Sequence, residues 1–159
     1  FAREANIPKK IGAALSLILN GTPKRIKLGK CGNKRFILML SAGLDSYVIQ
    51  HVTPTLKKRL GILSYYFVFL KSIFTYNYPT IKIQVENMIY ESSFVLVSKC
   101  KYYAGFLHIT PTACLEDDIF NICILRKKGF LAIFKFLAMV LLRLNHLNKD
   151  CVYLRSKAV

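Results

Sequence analysis

The stretch Tyr103–Leu125, YAGFLHITPTACLEDDIFNICIL, joins an acidic bend to a strand, and the prediction of the fold starts from it. Three of the eight acidic residues of the chain are consecutive here, at Glu116, Asp117 and Asp118. The residues from Ile119 onward alternate in apolar character, which predicts a β-strand. Such a bend offers a hard cation both carboxylate and carbonyl oxygens. The alternative, which spacing alone favours, is a turn whose Asp side chains bond their own backbone.

The length and composition predict a single folded domain with a strong positive charge. With 159 residues and 53% hydrophobic residues, the chain can bury a core, and disorder is excluded. The net charge of +16 predicts an anionic partner, such as nucleotide phosphates or an acidic membrane surface. The basic residues form short scattered clusters with no zinc-finger or RNP-like pattern, so we expect no nucleic-acid partner.

The cysteines indicate a reducing compartment. They are odd in number, and no C-x-x-C pair occurs among the five: Cys31, Cys100, Cys114, Cys123 and Cys151. This pattern argues against a zinc site and against a disulfide framework. No signal peptide is recognisable, so we expect a cytoplasmic location. The chain begins at Phe1 without an initiator Met, which suggests a piece of a longer protein.

The first half of the chain predicts a leading helix, a hairpin and a second helix. Asn6-Ile7-Pro8 is typical of a helix start, and Asn20-Gly21 of its end. A basic strand over 24–31 and a buried strand over 35–40 follow, with a hairpin turn between them. Asp45 is interpreted as the cap of a short helix that reaches about His51.

Two apolar helices and several strands are predicted for the remainder. The segment 62–74 is apolar nearly all round, and its aromatic residues are interpreted as core. Residues 80–100 alternate with a period of two and predict an antiparallel hairpin or meander, and 151–155 predict a last strand. Phe130–Leu144 is too short for a membrane span and carries Lys135. Its buried stripe is predicted at these positions: Phe130, Ile133, Phe134, Leu137, Leu141 and Leu144. The fold class is therefore α+β with a β-rich, antiparallel body.

Five short motifs occur in order along the chain: Phe1-Ala2-Arg3 with Asn6-Ile7-Pro8, Ser41-Ala42-Gly43-Leu44-Asp45, Leu60-Gly61 with Ser64-Tyr65-Tyr66, Gly105, and Pro111 with Ala113, Leu115 and Asp117. They resemble the C-terminal part of the diacylglycerol-kinase-like bacterial lipid kinases, a family related in fold to the NAD kinases. The pattern of that family reads N-D-F-A-R then I-P, S-x-G-F-D, L-G-x-x-x-Y-Y, a glycine triplet, and P-x-A-x-L-x-D-G. The resemblance runs over nearly the whole chain.

The resemblance implies a sandwich-like C-terminal lobe of an enzyme that transfers the γ-phosphoryl group of ATP to a lipid hydroxyl. It assigns residues 1–22 to the tail helix of a missing nucleotide-binding domain, and 23–159 to a substrate and metal domain that is truncated at its C-terminus. It also implies a magnesium ion held by the Asp117 carboxylate and by the backbone carbonyls of Cys114 and Ile119. The family's phosphate-binding loop would precede Phe1 and its catalytic acid would follow Val159, so we expect no catalytic residue and no kinase activity in this chain.

Four residues depart from the family pattern. Asp118 stands where the family has a glycine, and Ala104-Gly105-Phe106 stands where it has a glycine triplet. The family's asparagine upstream of that triplet falls at Lys99.

Two functional hypotheses follow from the sequence. The first is a lipid kinase fragment, peripheral at the membrane, with a lipid substrate. The alternative is a non-catalytic basic module that binds anionic membrane surfaces through its charge and the helix 130–144.

Overall fold

A four-stranded antiparallel sheet forms the centre of the protein in the computed structural model, which describes all residues from Phe1 to Val159. The five α-helices are α1 Ile11–Asn20, α2 Leu44–His51, α3 Pro54–Leu60, α4 Leu63–Thr75 and α5 Phe130–Leu141. The ten strands are β1 Gly29–Cys31, β2 Lys34–Phe36, β3 Met39–Gly43, β4 Ile81–Val85, β5 Met88–Ser92, β6 Phe94–Ser98, β7 Tyr102–Tyr103, β8 Leu107–His108, β9 Phe120–Leu125 and β10 Cys151–Ser156. The central sheet has the order β10-β9-β6-β3, and the other strands form three two-stranded hairpins, β1-β2, β4-β5 and β7-β8.

Strand β6 is buried along its whole length because both faces of the central sheet are covered. Phe94 and Leu96 point to one side, where helices α2, α4 and α5 supply most of the remaining core. Val95 and Val97 point to the other side, where they pack with Ile83 and its neighbours in the β4-β5 hairpin. Strand β9 divides its side chains in the same way, so the protein has three layers: helices, sheet and hairpin.

A glycine makes the junction between β3 and α2 possible. Gly43 has a φ of 106°, and a Cβ placed on it would lie 2.0 Å from the carbonyl oxygen of Ser93. Neither the backbone conformation nor that contact tolerates a side chain. Helix α2 therefore begins directly after the strand, at Leu44, and packs its buried Leu44 and Val48 against the sheet.

The α+β class and the antiparallel, sandwich-like organisation are confirmed. Helices α2, α4 and α5, the β4-β5 hairpin, β9 and β10 lie close to the predicted bounds. The predicted strand over 35–40 is wrong: it is divided into β2 and β3, and Ile37 and Leu40 are exposed. The leading helix starts at Ile11 and not near Asn6, whose positive φ of 54° is incompatible with a helix start there.

The buried face of α5 differs from the predicted stripe. Ala132, Ile133, Phe136 and Val140 are its buried residues, whereas Phe134 and Leu141 of the predicted stripe are each 61% exposed. Because the helix is apolar on nearly all sides, its sequence periodicity did not select the face that packs on the sheet. None of the helices combines the length and the apolar character that a membrane crossing requires.

One carboxylate fastens α5 to the turn before β10. Asp150 is 3.1 Å from the ammonium of Lys127 and 2.7 Å from that of Lys135 on α5. The hydrogen bonds from Lys135 and Lys127 lower the pKa of Asp150 from its ordinary value of 3.8. A carboxyl group whose pKa is depressed in the folded state stabilises the fold above its unfolded pKa.

We expect Asp150→Asn to lower the melting temperature at pH 7, because both cations lose their charged partner. The difference from the wild type should shrink as the pH falls below 3.8 and vanish below the depressed folded pKa of Asp150, where both proteins are uncharged at this position. Thermal unfolding between pH 7 and pH 2 measures the effect. Glu91→Gln is the matched control, since Glu91 is exposed and is in none of the ion pairs. A destabilisation of Asp150→Asn that is the same at every pH would contradict the assignment.

Candidate functional site

The acidic segment forms a bend that leads directly into β9, as the sequence predicts. Residues 115–119 lie outside any helix or strand, and β9 begins at Phe120. Antiparallel pairing places Ser156 at the end of β10 opposite Phe120 at the start of β9. On the other side of the bend, the backbone N–H of Lys27 donates to the carbonyl oxygen of Leu115 at 2.9 Å. The bend therefore lies between the end of β10 and a basic N-terminal segment.

Each carboxylate of the bend is paired with a cation of the chain itself. The N···O distances are 3.1 Å for Lys24–Glu116, 3.5 Å for Arg155–Asp117 and 3.0 Å for Lys157–Asp118. The hydrogen bond from Lys157 lowers the pKa of Asp118. These side chains are exposed, so each pair contributes little stability singly. Together they neutralise the charge of the bend.

A fourth cation lies beneath these pairs. Lys99, which follows β6, is only 1% exposed, and its ammonium donates a hydrogen bond to the backbone carbonyl oxygen of Asp117. Its Nζ is also 5.9 Å from the centroid of the Phe120 ring. Burial lowers the pKa of Lys99, and the nearby carboxylates of Asp117 and Asp118 oppose that shift.

The three predicted magnesium donors differ in whether the chain already engages them. The carbonyl oxygens of Cys114 and Ile119 accept none of the loop hydrogen bonds, which leaves them available as donors. The Asp117 carboxylate, however, faces the Arg155 guanidinium, and the carbonyl of the same residue accepts from the Lys99 ammonium. A divalent ion at this place would be repelled by the neighbouring positive charges, unless it displaced the buried ammonium of Lys99. The magnesium assignment to Cys114, Asp117 and Ile119 stays a prediction.

A cavity of about 630 Å³ opens on the helical side of the central sheet. Nineteen of its 21 lining residues are hydrophobic, and its volume falls in the range of pockets that hold small organic ligands, ~300–1,000 Å³. The lining comes from β3, α2, α4, β6, the β7-β8 hairpin with its flanks, and α5, including Met39, Leu44, Val48, Phe69, Phe94 and Phe136. The floor is the buried core, and the rim carries exposed apolar side chains such as Ile62 and Leu70.

One corner of this cavity is polar. The Asp45 carboxylate accepts hydrogen bonds from the Ser41 hydroxyl and from the Tyr103 hydroxyl, and all three residues line the cavity. Burial, with the adjacent Asp45 charge, raises the pKa of Tyr103 far above its ordinary range, so this phenol stays protonated and continues to donate. The predicted capping role of Asp45 is wrong, since the N-cap of α2 is Gly43 and the N-terminus of this helix has no side-chain cap.

Sequence reasoning found the bend but missed the cavity. Tyr65, Tyr66 and Phe69 line the cavity and the neighbouring Phe67 is 59% exposed, so the interpretation of these aromatic residues as core is wrong in part. The four-residue spacing of Ser41 and Asp45 was a possible local signal for their contact. No signal could have indicated Tyr103, which is 58 positions from Asp45 and reaches it only through the packing of the β7-β8 hairpin.

The fold defines the chain as an α+β lobe with a sandwich-like antiparallel body, and comparison with known families gives the particular family. Residues 39–159 match the model of the YegS C-terminal NAD kinase beta sandwich-like domain. This match covers most of the chain, and the chain belongs to that family. The resemblance to diacylglycerol-kinase-like proteins is thereby confirmed.

Curated relatives of the chain carry the name diacylglycerol kinase. The chain is 28% identical over its full length to the diacylglycerol kinase of Bacillus subtilis strain 168, and 22% identical to that of Staphylococcus aureus strain NCTC 8325. It spans 54% and 51% of these two proteins, which is about half their length. A solved diacylglycerol kinase structure from Bacillus anthracis strain Sterne superposes with a TM-score of 0.68 at 20% identity, covering 98% of this chain and 51% of that one. The last comparison supports the fold alone.

Proposed function

We propose that this chain is the lipid-binding lobe of a diacylglycerol-kinase-like enzyme that phosphorylates a lipid hydroxyl with ATP. Family membership and the names of the relatives support the kinase class. The observation that carries the lipid-binding role is the cavity, because it is almost entirely apolar and has a single polar corner at Asp45. An acceptor with a hydrocarbon chain and a hydroxyl-bearing head has the same division of polarity.

The hydrocarbon part of the acceptor gains most of its binding energy from leaving water. Each methylene group that enters an apolar cavity contributes ~0.8 kcal/mol. The rim at Leu70 on α4 and Leu141 on α5 is exposed and apolar, so a chain can enter without crossing a polar barrier. The buried Phe94 and Phe136 at the core side limit how far it can extend.

The polar corner supplies the acceptor for a lipid hydroxyl. An ionised carboxylate has about four lone-pair positions, and Ser41 and Tyr103 donate to two of those on Asp45. The remaining positions accept a hydrogen bond from the head group, with Ser41 and Tyr103 holding the carboxylate in place. In this role Asp45 orients the acceptor and does not transfer the phosphoryl group.

The nucleotide belongs to a part of the enzyme that we place outside these residues. Phosphoryl transfer needs donors that hold the phosphates, a metal ion and a base that activates the acceptor hydroxyl. The family resemblance places the phosphate loop before Phe1 and the catalytic acid after Val159. ATP and its magnesium ion are therefore proposed as cofactors of the complete enzyme.

A basic helix beside the cavity rim supports peripheral contact with anionic membranes. Lys57, Lys58 and Arg59 are exposed on α3, and the Lys57 ammonium is 5.9 Å from the centroid of the cavity-lining Tyr65 ring. Ile62, between α3 and α4, is 66% exposed at the same rim. A surface with basic and apolar side chains side by side binds anionic interfaces, and it would open the cavity toward the lipid.

Binding of diacylglycerols with increasing acyl length tests the cavity. We expect affinity to rise about fourfold for each added methylene until the cavity is full, since ~0.8 kcal/mol corresponds to that ratio. Leu70→Asp should weaken binding, because it places a charge at the rim. Phe67→Asp is the matched control: it adds the same charge at an exposed position of α4 outside the cavity. Affinity that ignores chain length, or an equal loss in both variants, would contradict the assignment.

The purified 159-residue chain should not phosphorylate diacylglycerol when supplied with ATP and magnesium. The physical reason is that it lacks the phosphate donors and the base that the transfer requires. Transfer of labelled phosphate into lipid measures this, with the Bacillus subtilis diacylglycerol kinase as the positive control. Labelled product above the no-protein blank would refute the proposal that the phosphate donors and the base lie outside these 159 residues.

Sedimentation with anionic vesicles tests the membrane contact. Replacing Lys57, Lys58 and Arg59 by Gln should weaken binding by roughly fivefold per residue, since each basic residue near an anionic surface contributes ~1 kcal/mol. Raising the salt concentration should weaken wild-type binding as well. The same replacements at Lys30, Lys34 and Arg35 in the β1-β2 hairpin remove equal charge away from the rim and serve as the control. Equal effects of the two triple variants would argue for non-specific attraction.

A further inference from the structure

The pairing of β6 with β9 places a buried lysine inside the acidic bend. The ladder ends with Ser98 opposite Asn121, so Lys99, the next residue, lies level with Phe120 at the point where the bend becomes a strand. The backbone N–H of Lys99 donates to the carbonyl oxygen of Leu38 at 2.8 Å, which fixes its main chain. From there the side chain extends to the backbone carbonyl of Asp117.

A lysine that is 99% buried needs compensation for the water that its ammonium has lost. That compensation comes from the bend: a direct hydrogen bond to one carbonyl, the ring of Phe120, and the carboxylates of Asp117 and Asp118 nearby. The contacts lie in the bend residues to which the family resemblance assigns a metal ion. The lysine therefore makes, from inside the chain, the kind of contact that a bound cation would make.

The charge balance of the bend is already complete. Its three carboxylates face four cationic side chains, Lys24, Arg155, Lys157 and Lys99. Of these four only Lys99 is buried and bonded to the backbone of the bend; the other three are mostly exposed. A divalent cation would add two positive charges to a cluster that needs none.

We infer that the Lys99 ammonium is the structural cation of the 115–119 bend, so that this lobe keeps the bend folded without a divalent metal ion. The inference depends on the geometry of the bend and holds whether or not the chain serves a lipid kinase. An ammonium donates up to three hydrogen bonds as a compact point charge, which suits a cluster of carbonyl and carboxylate oxygens.

Under this inference, two departures from the family pattern balance each other in charge. Asp118 adds a negative charge where the family has glycine, and Lys99 adds a positive charge where it has asparagine. The structure brings both residues to the same bend, although they are 19 positions apart. A neutral side chain at position 99 would leave the bend with a vacancy that a small divalent ion fits.

Thermal unfolding of the 159-residue chain in EDTA and in about 10 mM magnesium chloride tests the inference. The wild-type melting temperature should agree within about 1 °C in the two solutions. Lys99→Met keeps the unbranched stem and removes the charge, so it should melt several degrees lower in EDTA. Magnesium should then raise its melting temperature by about 3 °C or more, because the vacated oxygens bind the ion.

Lys157→Met is the matched control, since it removes a cation from the same bend but at an exposed position. It should show no response to magnesium, because Lys99 remains in place. A wild type that magnesium stabilises, with the effect lost in Asp117→Ala, would overturn the inference. A Lys99→Met variant that responds to magnesium no more than Lys157→Met would overturn it too.

A second measurement keeps the inference testable if Lys99→Met does not fold. Manganese(II) broadens the NMR signals of amides close to its binding site, and the wild type alone suffices for this experiment. The amides of residues 114–119 should keep their intensity at manganese concentrations that broaden exposed acidic positions such as Glu91. Selective broadening of residues 114–119 would place a metal in the bend and refute the role of Lys99.

Discussion

The burial of β6 on both of its faces is the constraint on which the other features of the structure depend. Its alternating side chains belong to two separate hydrophobic clusters, so the strand must lie between two covering layers. Helices α2, α4 and α5 provide one layer and the β4-β5 hairpin the other. A shift of one residue in its pairing with β9 would exchange the two clusters, which makes the register strongly specified.

That register has direct consequences for the acidic bend. It fixes where β9 begins and therefore where the bend lies, and it brings Lys99 level with Phe120. The pairing of β10 with β9 then brings Arg155 and Lys157 to the same end of the sheet. In a chain with a net charge of +16, this bend of three adjacent acidic residues contacts cations from three separate segments: Lys24, Lys99, and Arg155 with Lys157. Every carboxylate of the bend is thereby paired with a cation of the chain itself.

The cavity arises from the way in which the helical layer covers the sheet. Helices α4 and α5 are apolar on almost every side, so packing one face against the core leaves other apolar side chains exposed at the rim. In an isolated globular protein such a rim is unfavourable in water, whereas a protein that receives lipid from a membrane can use it. Asp45 with Ser41 and Tyr103 gives this otherwise apolar surface a polar end.

The sequence by itself determined the α+β class, most of the helices and strands, the family resemblance and the position of the bend before β9. These features follow from local periodicity, turn residues and short motifs, which are set by neighbouring positions. Only the tertiary structure decided which face of α5 is buried, that Asp45 binds Tyr103 instead of capping α2, and that Lys99 enters the bend. The reason is physical: a helix that is apolar on all sides carries no directional signal, and contacts between distant residues depend on strand register and on how the layers pack.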